Sequence, residues 1–176
     1  MENTIIVDTN ENPSKLKFTN EKTSIETDVL IGRNGVTSSK KEGDGKTPLG
    51  TFELGIVFGT HNKGEIYEYE TSIEYIKINE NLYWVDDVKS KCYNQLIDIT
   101  KVDVEWKSAE HLIDYPVQYE YAIEIRTNPE NIPGKGSAIF IHCSNGVPTA
   151  GCIALPKEEM IKLIKQINRN TRIIIR

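Results

Sequence analysis

The chain has 176 residues, enough for one domain whose core needs no disulfide or metal staple. Twenty-one Lys and Arg face 26 Asp and Glu, a net charge of −5, whereas a nucleic-acid binder would carry a basic face. The longest apolar runs, such as Ile173-Ile174-Ile175, are far short of the roughly 20 residues of a membrane span.

Residues 1–12 have no basic start and no long apolar stretch, so no export leader is expected. The chain is then either cytosolic or the mature piece of an exported protein. Thr4 to Val7 is a short apolar strand. Gly43-Asp44-Gly45 marks a turn. Leu54, Ile56 and Phe58 alternate with Glu53, Gly55 and Val57, a strand period. Ile73 to Ile78 and Leu82 to Val85 read as two more strands, and Ser108 to Ile113 as a short helix. Tyr119, Tyr121, Ile123 and Ile125 alternate with Glu120, Ala122, Glu124 and Arg126, a half-buried strand.

Asn131-Ile132-Pro133-Gly134 is another turn, and Ser137 to His142 another strand. Pro156 suits a first helical position, with Glu158 and Glu159 in the turn where the dipole favours carboxylates. Met160, Ile161, Leu163, Ile164 and Ile167 form its apolar stripe, and Arg169 and Asn170 fall near its end. Thr171 to Arg176 is a terminal strand. The expected fold is mainly β, with one late amphipathic helix, in a single domain spanning 1–176.

Three cysteines, Cys92, Cys143 and Cys152, make no disulfide framework. In the strand before Cys143, Phe140 and His142 share one face, while Ile139, Ile141 and Cys143 share the other. Cys143 therefore belongs to the core. After the Ser-Asn-Gly-Val-Pro loop, Cys152 and Ala154 face opposite to Ile153 and Leu155. The loop lets the chain return, and if the two strands are neighbours, His142 and Cys152 can face each other across that return. An imidazole can take the proton of a thiol whose ordinary pKa is about 8.5. Amides at Gly151 and Cys152 can then hold an oxyanion. From residue types alone, a nucleophile and an inert buried thiol both fit Cys152.

Ile-Phe-Ile-His142 followed by Pro148-Thr149-Ala150-Gly151-Cys152-Ile153-Ala154-Leu155 resembles the catalytic motif of the L,D-transpeptidase (YkuD-like) family. Gly32-Arg-Asn-Gly35, Lys41-Glu-Gly-Asp44-Gly-Lys-Thr-Pro48-Leu-Gly50, Tyr93-Asn94 and Gly134-Lys-Gly-Ser137 resemble further family segments, so the likeness is strongest over 29–176. It implies a sandwich-like catalytic domain that remodels bacterial peptidoglycan outside the cytoplasm. It implies Cys152 as nucleophile and His142 as base, oriented by a backbone carbonyl. Gly151 and the Cys152 amide match the oxyanion turn, and Thr149 matches the residue that opens the motif. Lys41, Asp44, Tyr93 and Asn94 are implied to border the substrate groove.

The implied partners are stem peptides, a tetrapeptide donor and an amine acceptor, with carbapenems as covalent inhibitors. No cofactor is required. The implied product is a 3→3 cross-link. Hydrolysis of the same thioester would make the protein an L,D-carboxypeptidase. A non-catalytic wall-binding module and a redox or metal protein using Cys143 and Cys152 are the other readings. Adjacent His142 and Cys143 point to opposite strand faces, which disfavours zinc. Ala150 stands where many members carry a second histidine, leaving His142 without a rival. His61 and His111 are expected to be structural or solvated, Asp86-Asp87 a solvated turn, and Tyr115, Tyr119 and Tyr121 strand packing.

Overall fold

A computed structural model describes residues 3–67 and 72–176. In chain order it contains β1 (Thr4–Asp8), β2 (Lys15–Thr19), β3 (Ser24–Asp28), β4 (Val36–Thr37), β5 (Thr47–Pro48) and β6 (Gly50–Gly59). Then come α1 (Lys63–Ile66), β7 (Tyr75–Lys77), β8 (Leu82–Val85), β9 (Leu96–Asp98) and β10 (Ala109–His111). The chain closes with β11 (Tyr121–Ile125), β12 (Phe140–Cys143), β13 (Ile153–Leu155), α2 (Lys157–Ile164) and β14 (Arg172–Ile175).

The main sheet runs β13-β12-β11-β6-β14-β1-β2-β3, with β7 added alongside β6. The long β6 serves both halves. Its start pairs with β14 and its end with β11 and β7. Beyond β3, Leu30 exchanges both backbone hydrogen bonds with Ala154 of β13, at 2.8 and 2.9 Å. The two ends of the sheet thus curl toward each other, giving the expected sandwich-like body. A smaller sheet, β10-β8-β9, covers part of one face.

Two cores follow from strand alternation. Ile5, Phe18, Ile141, Ile153 and Leu155 join Met160, Leu163 and Ile164 of α2 in the first. Phe58, Trp84, Leu112, Tyr119, Phe140 and Cys152 form the second, beneath the small sheet. Phe140 anchors the latter, with ring centroids 4.8 Å from Trp84 and 5.0 Å from Phe58. Because both faces of β11 are covered, Ala122 and Ile123 are both buried, and the segment is not the half-exposed strand its alternation predicts.

Several boundaries differ from the sequence reading. Ser108 to Ile113 is not a helix. Ala109, Glu110 and His111 pair with Val85, Trp84 and Tyr83, and only Leu112–Asp114 form a 3-10 turn. Cross-strand pairing overrides weak local propensity here. Tyr119 belongs to the 3-10 turn Gln118–Glu120, one turn before β11. Pro156 caps α2 from outside, and the helix stops at Ile164, so Arg169 and Asn170 lie beyond it. Ile167 is still buried, which explains why the apolar stripe outlasts the helix. The β2–β3 hairpin was not predicted, although Leu16 and Phe18 alternate with lysines.

Candidate active site

β12 and β13 are neighbours, and they run parallel. Ile141 pairs with Ile153 and His142 with Ala154. Cys152 therefore stands level with Phe140, and His142 lies two residues, roughly 7 Å, farther along the same face. The Phe140 N–H donates to Cys152 Sγ at 3.3 Å, and the thiol donates to the Ala138 carbonyl at 3.3 Å. Among the described residues, no hydrogen bond joins Cys152 to His142. Burial, then the nearby Glu110 carboxyl, pushes the Cys152 thiol up to about 12. The resting Cys152 side chain is a neutral thiol.

His142 Nδ1 lies 2.8 Å from the Cys143 carbonyl. A carbonyl only accepts, so Nδ1 carries the proton and Nε2 keeps a free lone pair. Burial lowers the His142 pKa, partly offset by that carbonyl, so the imidazole is neutral and basic at ordinary pH. Tyr119 stands edge-on to the ring, with centroids 5.8 Å apart. The Tyr119 hydroxyl donates to Glu110 Oε2. Burial raises the Glu110 carboxyl to about 7, against the Tyr119 hydrogen bond and helped by Asp86 and Glu42.

That upward shift means the folded state binds a proton that the unfolded chain releases near pH 4.5. Stability from this group is full below pH 4.5 and is lost as pH rises through 7. Glu110→Gln is expected to raise the melting temperature at pH 8 more than at pH 5, measured by thermal unfolding. Equal shifts at both pH values would refute the placement of this carboxyl.

The turn before Cys152 is pinned by hydroxyls. Thr149 Oγ1 accepts the Gly151 N–H at 3.0 Å and donates to the Cys152 carbonyl at 2.6 Å. The fully buried Thr47 hydroxyl donates to the Gly151 carbonyl at 2.9 Å and accepts the Gly32 N–H at 2.8 Å. Thr47→Val would leave both backbone groups without a partner. It is expected to cost about 1–3 kcal/mol in urea unfolding, and no loss would show that the bridge is idle.

Gly151 has φ +143°, and an added Cβ would lie 2.9 Å from the Lys46 carbonyl. A pocket of about 140 Å³ opens beside Cys152, lined by Arg33, Lys40, Asp86, Glu110 and Ala138 among others.

The family model for the L,D-transpeptidase catalytic domain, YkuD, matches residues 2–175. The chain belongs to the L,D-transpeptidase catalytic domain family. Comparison with curated proteins and with solved structures gave no match. Members of the L,D-transpeptidase family are cysteine acyltransferases acting on peptidoglycan peptides. Among the described residues, no helix is long and apolar enough to cross a membrane.

Within this L,D-transpeptidase domain, the residues singled out in the sequence take different places. Cys152, His142, Gly151 and Thr149 sit together at the β12–β13 edge. Tyr93 is buried; its hydroxyl donates to Glu42 Oε2 and accepts the Gly136 N–H at 3.0 Å. Asn94 Oδ1 accepts from Trp84 Nε1 at 3.1 Å and from the Ala138 N–H at 3.2 Å. Both residues thus buttress the segment just before β12, where the Ala138 carbonyl holds the thiol; Ser137 to Ile139 are not strand as the sequence suggested, and Ala138 has φ +52°. Lys41 is exposed, and its backbone N–H donates to Asp44. Asp44 is held below the usual carboxylate range because hydrogen bonds from Lys40 and the Lys41 and Lys46 amides outweigh its burial.

Lys40, one residue earlier than Lys41, is the lysine that reaches the pocket. Asp87 does close a turn, accepting from the Lys89 and Lys107 amides. Asp86 instead lines the Cys152 pocket, and its buried Oδ1 finds no hydrogen-bond partner among the described residues. Glu110 and Thr47 were not singled out either. Their long-range partners, Tyr119 and Gly151, carry no local sequence signal. His61 bonds Glu120 and stacks on Tyr121, while His111 bonds the Glu80 carbonyl and stacks on Tyr83, both away from the thiol.

Proposed function

We propose that this chain is a peptidoglycan L,D-transpeptidase that forms 3→3 cross-links through a thioester on Cys152, acting outside the cytoplasm. One observation carries the reading. Cys152 and His142 share a face of two adjacent strands, and the Cys143 carbonyl commits the His142 proton to Nδ1, leaving Nε2 as the base.

The donor displaces the Cys152 thiol from the Ala138 carbonyl and brings it to Nε2. Sγ then attacks the carbonyl of the third stem residue. His142 takes the thiol proton and returns it to the amine of the departing D-alanine. The Gly151 N–H is engaged by Thr149, so the Cys152 amide is assigned to the oxyanion. An amine of a second stem then resolves the thioester. Resolution by water would make the enzyme an L,D-carboxypeptidase.

Intact-mass measurement tests this directly. Wild type incubated with a carbapenem should gain one stoichiometric adduct, and Cys152→Ala should gain none. A stem tetrapeptide with an amine acceptor should then yield a cross-linked dimer. Folded wild type that takes neither adduct would sink the reading. A hydrolysed tripeptide as sole product would select the carboxypeptidase.

A further inference from the structure

The small sheet lays two carboxyl groups over the thiol. Glu110 of β10 pairs with Trp84 of β8, and Asp86 lies two residues beyond Trp84. Strand alternation puts all three on the face that packs toward Phe140 and Cys152. Both carboxyls line the pocket of about 140 Å³ beside Cys152, and His142 does not line it. The Tyr119 ring stands between, edge-on to His142 at 5.8 Å while its hydroxyl donates to Glu110 Oε2. A molecule entering this pocket therefore meets Cys152, Glu110 and Asp86 and not the imidazole.

The two carboxyls are underused by the protein itself. Among the described residues, Asp86 Oδ1 is buried without a hydrogen-bond partner, and no hydrogen bond reaches Glu110 Oε1. The pocket's cations are engaged or placed elsewhere. Lys40 Nζ is held by Asp44 Oδ1 and by the Lys46 carbonyl, the latter at 2.7 Å, and Arg33 is exposed. Glu42, the third acidic group, is engaged by Tyr93 and Ser137. Burial raises Glu110 against its Tyr119 hydrogen bond, and the charges of Asp86 and Glu42 raise it further. A positive group between Glu110 and Asp86 would relieve that repulsion.

We infer that Glu110, paired with Asp86, is the base of the second half-reaction, receiving the ammonium of the incoming acceptor while His142 serves acylation. The inference rests on the transpeptidase reading above. The acceptor ammonium gives one proton to the carboxylate pair, which passes it to solvent and leaves a neutral amine. As that nitrogen attacks the thioester, the N–C bond forms and the C–Sγ bond breaks. The second proton of the amine passes to Glu110, which returns it to the departing thiolate. The thiol and both carboxyls are then as they began.

The test separates the two half-reactions. A stem tetrapeptide with acetylated amines forms the acyl-enzyme, followed by intact mass, and a second tetrapeptide with a free side-chain amine then resolves it. Glu110→Gln is expected to slow resolution about 100-fold or more, while acylation stays within about 3-fold of wild type. Asp86→Asn should raise the acceptor concentration for half-maximal resolution about 10-fold. Hydroxylamine, unprotonated at neutral pH, should resolve the Glu110→Gln acyl-enzyme within about 3-fold of wild type. Equal slowing of both half-reactions, or of both acceptors, would overturn the inference, since a distorted pocket affects them alike. If Glu110→Gln does not fold, Asp86→Asn decides, and an unchanged acceptor dependence there overturns the inference. A wild-type acyl-enzyme that the peptide amine cannot resolve overturns it too, with acylation of Cys152 left standing. No acyl-enzyme in wild type overturns both the inference and the reading beneath it.

Discussion

Replacing His142 with glutamine is expected to slow acyl-enzyme formation about 100- to 10,000-fold while the protein stays folded. Glutamine can keep a hydrogen bond to the Cys143 carbonyl, but it offers no group that can accept and return a proton. The resting thiol makes the demand for a base severe. Its pKa is pushed up to about 12, first by burial and then by Glu110, so almost no thiolate exists at neutral pH.

The pH dependence has a definite sign. With His142 as the proposed base, neutral imidazole is the form expected to act, and burial lowers the His142 pKa. Activity should therefore persist below the usual histidine range and fall only as pH drops through that lowered value. The acid limb should vanish in His142→Gln. Acylation rates by mass measurement from pH 4 to 9 would check this. A variant within about 3-fold of wild type would remove His142 from the mechanism.

Gly151→Ala is expected to lower both stability and rate. At φ +143° an L side chain is strained, at a cost of about 1–3 kcal/mol. The new methyl would also meet the Lys46 carbonyl at 2.9 Å and the Ile139 side chain at 3.1 Å. Relief requires moving the turn that carries Cys152, and a displacement of about 1 Å can cost roughly 100-fold in rate. Gly146→Ala is the matched control. It also has positive φ, +86°, but nothing lies within 4 Å of its added Cβ. Urea unfolding and acylation rates on both variants separate backbone strain from collision. Equal behaviour of the two would show that the crowding at Gly151 does not matter.

Much of the fold follows from local pattern. The alternation in Thr4 to Val7, Leu54 to Phe58 and Thr171 to Arg176 places three central strands, and the stripe from Met160 to Ile167 places α2. The opposed faces of Phe140–His142 and Ile141–Cys143 correctly separate the two cores. What the sequence hides depends on distant partners. Glu110 becomes a strand residue because Trp84 pairs with it. Asp86 turns inward because the small sheet carries it to the Cys152 pocket, while its neighbour Asp87 closes the turn. Lys40 and Lys41 are indistinguishable by type, yet the Asp44 carboxylate and the Lys46 carbonyl hold the Lys40 ammonium inward while Lys41 stays exposed. The parallel sense of β12 and β13 corrects the return expected of the Ser-Asn-Gly-Val-Pro loop, since a nine-residue loop suits a crossover as well.

The turn that carries Cys152 is fastened to residues far earlier in the chain. Leu30 bonds Ala154, Arg33 and Ile31 bond Thr149, and Thr47 bonds Gly151 across 104 positions. During synthesis, the first third of the polypeptide must wait for the last before either can close these bonds. A nascent or truncated chain thus lacks the ordered turn beside Cys152.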